Sequence, residues 1–139
     1  MHRYQILIEY VGTPFVGWQI QKKGTSIQKV VQITLSKLLK QKILLYGSGR
    51  TDSGVHALEQ SAHFDVKNKI QNIDKIIKSL NYFLNNKMIS IIDIKRKKNN
   101  FHARYSAKER IYLYKIRNRP SPSILNKDRE WHIRKKLDL

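Results

Sequence analysis

Over the first hundred residues the hydrophobic period switches between two and about 3.6, and few architectures satisfy the order in which it does so. Tyr4, Ile6, Ile8 and Tyr10 alternate with Gln5, Leu7 and Glu9, which predicts a half-buried strand over residues 3–11. Gly12-Thr13-Pro14 breaks it, and Lys22-Lys23-Gly24 marks a loop. Phe15 and Trp18 stand between these breaks and suit core packing, with base stacking as the functional alternative. Thr25-x-x-Gln28 has the form of a capping box, and Ile27, Val30, Val31, Leu35, Leu38 and Leu39 recur at helical spacing behind it. A helix over 26–41 follows. Ile43 to Tyr46 begins a second strand, and Gln60 to Val66 alternates as a third. Asn72 is placed to cap a second helix over 72–86, with Ile73, Ile76, Ile77, Leu80, Phe83 and Leu84 as its apolar face. Ile89 to Lys95 is a fourth strand. The order β-α-β-β-α-β predicts an α+β, ferredoxin-like unit: one antiparallel sheet, both helices on the same face, the other face open.

Between the second and third strands lies the stretch most suggestive of chemistry. Tyr46-Gly47-Ser48-Gly49-Arg50-Thr51-Asp52-Ser53-Gly54-Val55-His56 holds three glycines within eight residues. It is not a P-loop, because no lysine follows Gly54, and the dinucleotide fingerprint would need glycine where Asp52 stands. What remains is a carboxylate in a tight loop with a guanidinium two residues away. Arg50 close to Asp52 would favour its ionised form, and an ionised carboxylate in a cleft serves as a nucleophile or a base. The plainer reading is an Asx-turn aspartate that closes the loop. Spacing alone leaves both open.

The chain has 139 residues, room for one domain, or for one and part of a second. Lys and Arg number 28 against 10 Asp and Glu, a net charge of +18 that suits a polyanionic partner, nucleic acid before a membrane surface. Fifteen of the 28 basic residues lie between Lys95 and Lys136, and none lies between Thr51 and Val66. Lys95-Arg96-Lys97-Lys98-Asn99-Asn100 reads either as a solvated turn or as a phosphate-binding one. Arg110 to Arg117 alternates again and predicts a fifth strand, with Tyr112, Tyr114 and Ile116 on one face. No apolar run has the length of a membrane span, residues 1–10 lack the pattern of a signal peptide, and nothing opposes a cytoplasmic location. With no cysteine there is no disulfide and no thiolate metal site, and His56, His63 and His102 lack metal-ligand spacing, so no metal is expected.

Three separated motifs carry a family resemblance. Gly49-Arg50-Thr51-Asp52-Ser53-Gly54-Val55-His56-Ala57 resembles the signature of the tRNA pseudouridine synthase A family. Glu9-Tyr10-x-Gly12-Thr13-x-Phe15-x-Gly17-Trp18-Gln19 is similar to that family's opening, although Val11 stands where an acidic residue is usual. Phe101-His102-Ala103-Arg104-x-Ser106-Ala107, followed by Arg110-x-Tyr112-x-Tyr114, is similar to its later motif. The resemblance runs along the whole chain but covers only the first half of a usual member. It implies a ferredoxin-like catalytic-loop domain over 1–100 and the incomplete start of a second domain over 101–139.

The resemblance further implies isomerisation of uridine to pseudouridine at positions 38–40 of the tRNA anticodon arm, without a cofactor, by a cytoplasmic homodimer. Asp52 matches the catalytic aspartate. Arg50 resembles the arginine near the vacated base position, and Tyr112 the tyrosine that stacks on the target base. His56 and Arg104 belong to the motifs without a chemical role assigned to them. Because the family's second half supplies the opposite wall of the cleft, the expectation for this length of chain alone is little or no turnover. From about residue 100 the chain is expected to be partly disordered or aggregation-prone. A non-catalytic RNA-binding module on the same fold is the competing class, and the Asp52 carboxylate, which a pure binder does not need, weighs against it.

Overall fold

The first strand is the spine of the sheet. In a computed structural model, which describes residues 1–138, β1 (His2–Tyr10) lies between β3 (Ala57–Val66) and β4 (Ile89–Lys97), antiparallel to both. A short β2 (Tyr46–Gly47) adds to the outer edge of β3, so the order is β2-β3-β1-β4. Two helices complete the unit, α1 (Ile27–Leu39) between β1 and β2, and α2 (Ile73–Leu84) between β3 and β4. Tyr4, Ile6, Ile8 and Tyr10 form one cluster with Ile27, Val31 and Leu35 of α1 and Leu80 and Leu84 of α2. Both helices therefore cover the same face, and the ferredoxin-like arrangement expected from the period switches is the one adopted. The opposite face presents Arg3, Gln5, Ser61, His63 and Asp65.

The local departures from the expected elements have identifiable causes. Ser26, not Thr25, caps α1 by accepting from the Lys29 amide. The capping-box partner Gln28 is engaged elsewhere, accepting from the Ile20 amide and donating to the Leu45 carbonyl. Residues 43–45 are not a strand, although Ile43 and Leu45 are buried. Side chains of α1 take their backbone groups instead: the Ile43 amide donates to Ser36 Oγ and the Leu45 amide to Gln32 Oε1. The third strand begins at Ala57 rather than Gln60. A bulge there sets Leu58 and Glu59 against the single Glu9, and pairing resumes at Tyr10 and Ala57. The second helix ends at Leu84 in a 3-10 turn of Asn85–Lys87, and Phe83 on its expected apolar face is half exposed.

A second compact unit begins at Lys108, so the segment 101–107 packs with the first unit. Arg3 and His63 hold it there, as described below. In the second unit the expected strand 110–117 shrinks to β5 (Ile116–Asn118), paired in parallel with β6 (Trp131–Ile133). The alternation of Arg110–Lys115 is present, but a strand also needs a ladder, and among the described residues the ladder begins only where the Lys115 carbonyl accepts from the Trp131 amide and Ile116 pairs with it. An ion pair of Arg117 with Glu130 at 2.9 Å ties the two short strands together. Arg117 holds the Glu130 carboxyl below its usual range.

Candidate active site

The loop between β2 and β3, residues 48–56, is bonded at its foot, its middle and its return. At the foot the Ser48 amide donates to the Ser61 carbonyl at 2.8 Å. Gln60, buried, accepts from Ser48 Oγ at 2.9 Å and donates to the Gly49 carbonyl at 2.7 Å. Both ends of its amide are thus satisfied by the loop. In the middle the Trp18 amide donates to the Thr51 carbonyl at 3.1 Å, and Tyr10 OH shares a 2.8 Å hydrogen bond with Thr51 Oγ1. Burial pushes the Tyr10 phenol up from its ordinary value, against the opposing pull of its hydrogen bond to Thr51, so the hydroxyl stays protonated at neutral pH. On the return, Ser53 Oγ donates to the Phe15 carbonyl at 3.2 Å, and His56 Nδ1 accepts from the Gly12 amide at 2.9 Å.

The bed under the loop is the glycine stretch after β1. A Cβ on Gly12 would run into the Val55 carbonyl. Gly17 has φ +101, and a Cβ there would lie 2.6 Å from the Thr51 carbonyl. Two sequence motifs forty residues apart are therefore two halves of one support, with Trp18, 2 % exposed, packed beneath as core. The base-stacking alternative for Trp18 lapses with that burial.

Asp52 stands exposed at the tip. Its carbonyl accepts from the Val55 amide at 3.1 Å and closes a turn in which Gly54 has φ 80. No hydrogen bond to its carboxylate occurs among the described residues. The turn is closed by backbone, not by the Asx side chain that the plainer reading required. Arg50 is exposed on the same loop, and among the described residues no ion pair joins it to Asp52. Tyr112 belongs to the second unit and is 70 % exposed.

A second constellation occupies the open face of the sheet. Arg3 pairs with Asp65 at 2.9 Å and donates to the carbonyls of Phe101 at 2.6 Å and Asn99 at 3.1 Å. The Ala103 amide donates to Nδ1 of buried His63 at 3.0 Å. Burial, with Arg3 and His102 adding to it, drives the His63 ring down to about 4, so it is neutral at physiological pH and free to accept. Sequence reasoning passed over Tyr10, Thr51, Gln60 and His63. Tyr10 and Thr51 sit inside recognised motifs, whereas Gln60 and His63 lie beyond them on the third strand, and side chains that secure a loop carry no spacing of their own. Among the described residues no group of three His, Cys, Asp or Glu side chains could hold a metal, and no helix is long and apolar enough to cross a membrane.

The ferredoxin-like sheet carries the Asp52 loop and the glycine stretch beneath it, the two motifs on which the family resemblance mainly rests. The sequence profile of the tRNA pseudouridine synthase family matches residues 6–106, which contain the bed, the loop and the segment on the open face. The tRNA pseudouridine synthase A of Pelagibacter ubique (strain HTCC1062) is 64 % identical over 139 residues, all of this chain and 56 % of that protein. The tRNA pseudouridine synthase A of Anaplasma marginale (strain Florida) is 44 % identical over 140 residues, 99 % of this chain and 56 % of that protein. The chain belongs to the tRNA pseudouridine synthase family, and it spans about half the length of these curated relatives.

Proposed function

We propose that this chain carries the aspartate-bearing part of a tRNA pseudouridine synthase that acts on uridines of the anticodon arm, positions 38–40. The observation that carries the reading is Asp52, exposed at the tip of a loop whose backbone is tied down on both sides of it. A reacting group fixed by its scaffold rather than by its own side-chain bonds keeps both carboxylate oxygens for substrate. The reaction breaks the N1–C1′ bond of uridine, turns the ring, and joins C5 to C1′. The C5 proton goes to solvent and N1 takes one up. The change is redox-neutral, and no cofactor is needed for it. Asp52 serves as the nucleophile of that exchange.

A uridine inside a stem is out of reach, so the target nucleotide must leave the stack. Arg50, exposed two residues before Asp52, is suited to the position the base vacates, and Tyr112 supplies an aromatic plane for the extruded base. The working enzyme is read as a cytoplasmic homodimer, by analogy with the family. Release of label from the C5 position of uridine in tRNA tests the reading. A full-length protein carrying this chain should release it, and Asp52→Asn should retain tRNA binding and lose release by several orders of magnitude. Label release by Asp52→Asn at an appreciable rate would remove Asp52 from the chemistry. RNA binding with no release by the unmodified full-length protein would favour the binding-module reading.

A further inference from the structure

The open face of the sheet carries rings that the Asp52 loop does not use. Tyr46 stacks on His63 at 5.1 Å between centroids, His63 meets His102 edge-on at 4.5 Å, and His102 lies against Tyr105 at 4.4 Å. The backbone that bears the last two is locked from several sides. Besides the bonds from Arg3 and to His63, His102 Nδ1 accepts from the amides of Arg104 at 3.1 Å and Tyr105 at 3.3 Å. The His102 amide donates to Ser106 Oγ at 2.9 Å, and the Ser106 amide to the His102 carbonyl at 2.8 Å. Yet the Tyr105 ring so oriented faces water. Tyr105 is 77 % exposed, and the Arg104 guanidinium lies 5.7 Å from its ring centroid.

Such an arrangement contributes little to folding, because the ring buries almost none of its apolar area. It does prepare a contact, since the cost of ordering the segment is met before any ligand arrives. The surroundings say which ligand. The Lys97 ammonium sits 5.3 Å from the Phe101 ring at the start of the segment, and Lys98 follows it in the chain. No carboxylate occurs between Asp93 and Glu109. An exposed aromatic plane beside Arg104 and Lys97 suits nucleotides, whose bases stack and whose phosphates are anionic, and the Asp65 carboxylate on this face is already paired with Arg3. A protein surface would use the ring but leave the charge unanswered.

We propose that Arg104 and Tyr105 form a nucleotide-binding site on this protein, at which the tyrosine ring stacks on an unpaired RNA base while Arg104, Lys97 and Lys98 take the neighbouring phosphates. The proposal rests on the tRNA-directed reading above and adds a contact outside the Asp52 loop. Stacking does not act on paired bases, so the site distinguishes loops from duplex.

Fluorescence anisotropy of the chain with two labelled RNAs tests it, one a hairpin with a single-stranded loop, the other a duplex of the same stem. Tyr105→Ala should weaken hairpin binding by about 5- to 100-fold and leave duplex binding unchanged. Tyr105→Phe should retain wild-type affinity. Tyr105→Leu, which keeps apolar bulk without the plane and guards against misfolding of the alanine variant, should behave like Tyr105→Ala. Arg104→Ala should weaken both RNAs. Hairpin affinity unchanged in Tyr105→Leu overturns the proposal, and a shift in sedimentation in the same variant would then assign the ring to a protein contact. These affinities do not depend on turnover. Failure of the isomerase reading shows in label release, and failure of this one in the hairpin-to-duplex ratio.

Discussion

At the scale of single residues, the Asp52 loop depends on glycines that lie beneath it. Gly17 and Gly54 both have positive φ, at +101 and +80, yet their surroundings differ. A Cβ on Gly17 meets the Thr51 carbonyl at 2.6 Å, whereas a Cβ on Gly54 meets nothing within 4 Å. Gly54→Ala should therefore cost only the left-handed strain, about 1–2 kcal/mol. Gly17→Ala should cost about 1–3 kcal/mol more, because the loop must also shift. Urea midpoints measure both, and an equal loss in the two variants would refute the bedding of the loop on Gly17. His63 makes a pH prediction. Its ring falls to about 4 in the folded state from 6.5, so between those values the unfolded chain binds more protons than the folded one. Stability contributed at His63 is complete above pH 6.5 and declines as pH falls toward 4. Below 4 the ring is charged, and Nδ1 can no longer accept from Ala103. Arg3, His102 and Asp65 are the charged or titratable neighbours. Asp65, held below its ordinary value by its hydrogen bonds to Arg3, loses its contribution at lower pH still. Urea midpoints across pH 4–7 should slope upward in the wild type and flatten in His63→Gln.

At the scale of elements, β4 shows how a helix repairs a sheet. The ladder between β1 and β4 shifts between Leu7 and Ile8, leaving Ile92 as the extra residue of a bulge. The backbone of Ile91 there turns to α2: Asn81 Nδ2 donates to the Ile91 carbonyl at 3.0 Å, and the Ile91 amide donates to Asn81 Oδ1 at 2.7 Å. One side chain thus replaces a ladder partner on both counts. Asn81→Ala should destabilise the first unit by about 2–4 kcal/mol, since it strips two backbone groups at once. Asn81→Asp, which keeps the acceptor and loses the donor, should fall between. Chemical denaturation followed by tryptophan fluorescence from Trp18 reads both, and an alanine variant as stable as the wild type would show the bulge to be satisfied by water.

At the scale of the molecule, basic charge is unevenly distributed along the chain. The Asp52 loop and β3 carry no lysine or arginine from Thr51 to Val66, while 15 of the 28 basic residues follow Ile94. RNA affinity should accordingly fall steeply with salt, by about 0.7–0.9 in log K per log unit of salt for each phosphate contact. Replacing Lys97 and Lys98 with alanine should lower affinity for all RNAs alike and reduce that slope by one to two contacts. A salt-independent affinity would rule out phosphate-driven binding. Tyr112→Ala should weaken engagement of an extruded base while leaving the salt slope intact, because stacking releases no counterions.

The period switches in the sequence determined the β-α-β-β-α-β order, the two helices and the core residues, because burial of one face obliges apolar side chains to recur at the period of the element. The glycines, not the period, marked the Asp52 loop, since a glycine-rich loop with a charged tip is visible without a partner. Where elements end was legible only in part. Residues 43–45 and 110–115 have strand-like residues, but a strand exists only if another chain segment answers its amides, and α1 side chains answered the first. Only the tertiary structure decided that Gly12 and Gly17 lie under Thr51 and Val55, and that Tyr10 and Gln60 secure the loop. It alone brought His63 and Arg3 under the Phe101–Ser106 segment. Such contacts join residues from 11 to 98 positions apart one pair at a time, and a single contact has no period to read.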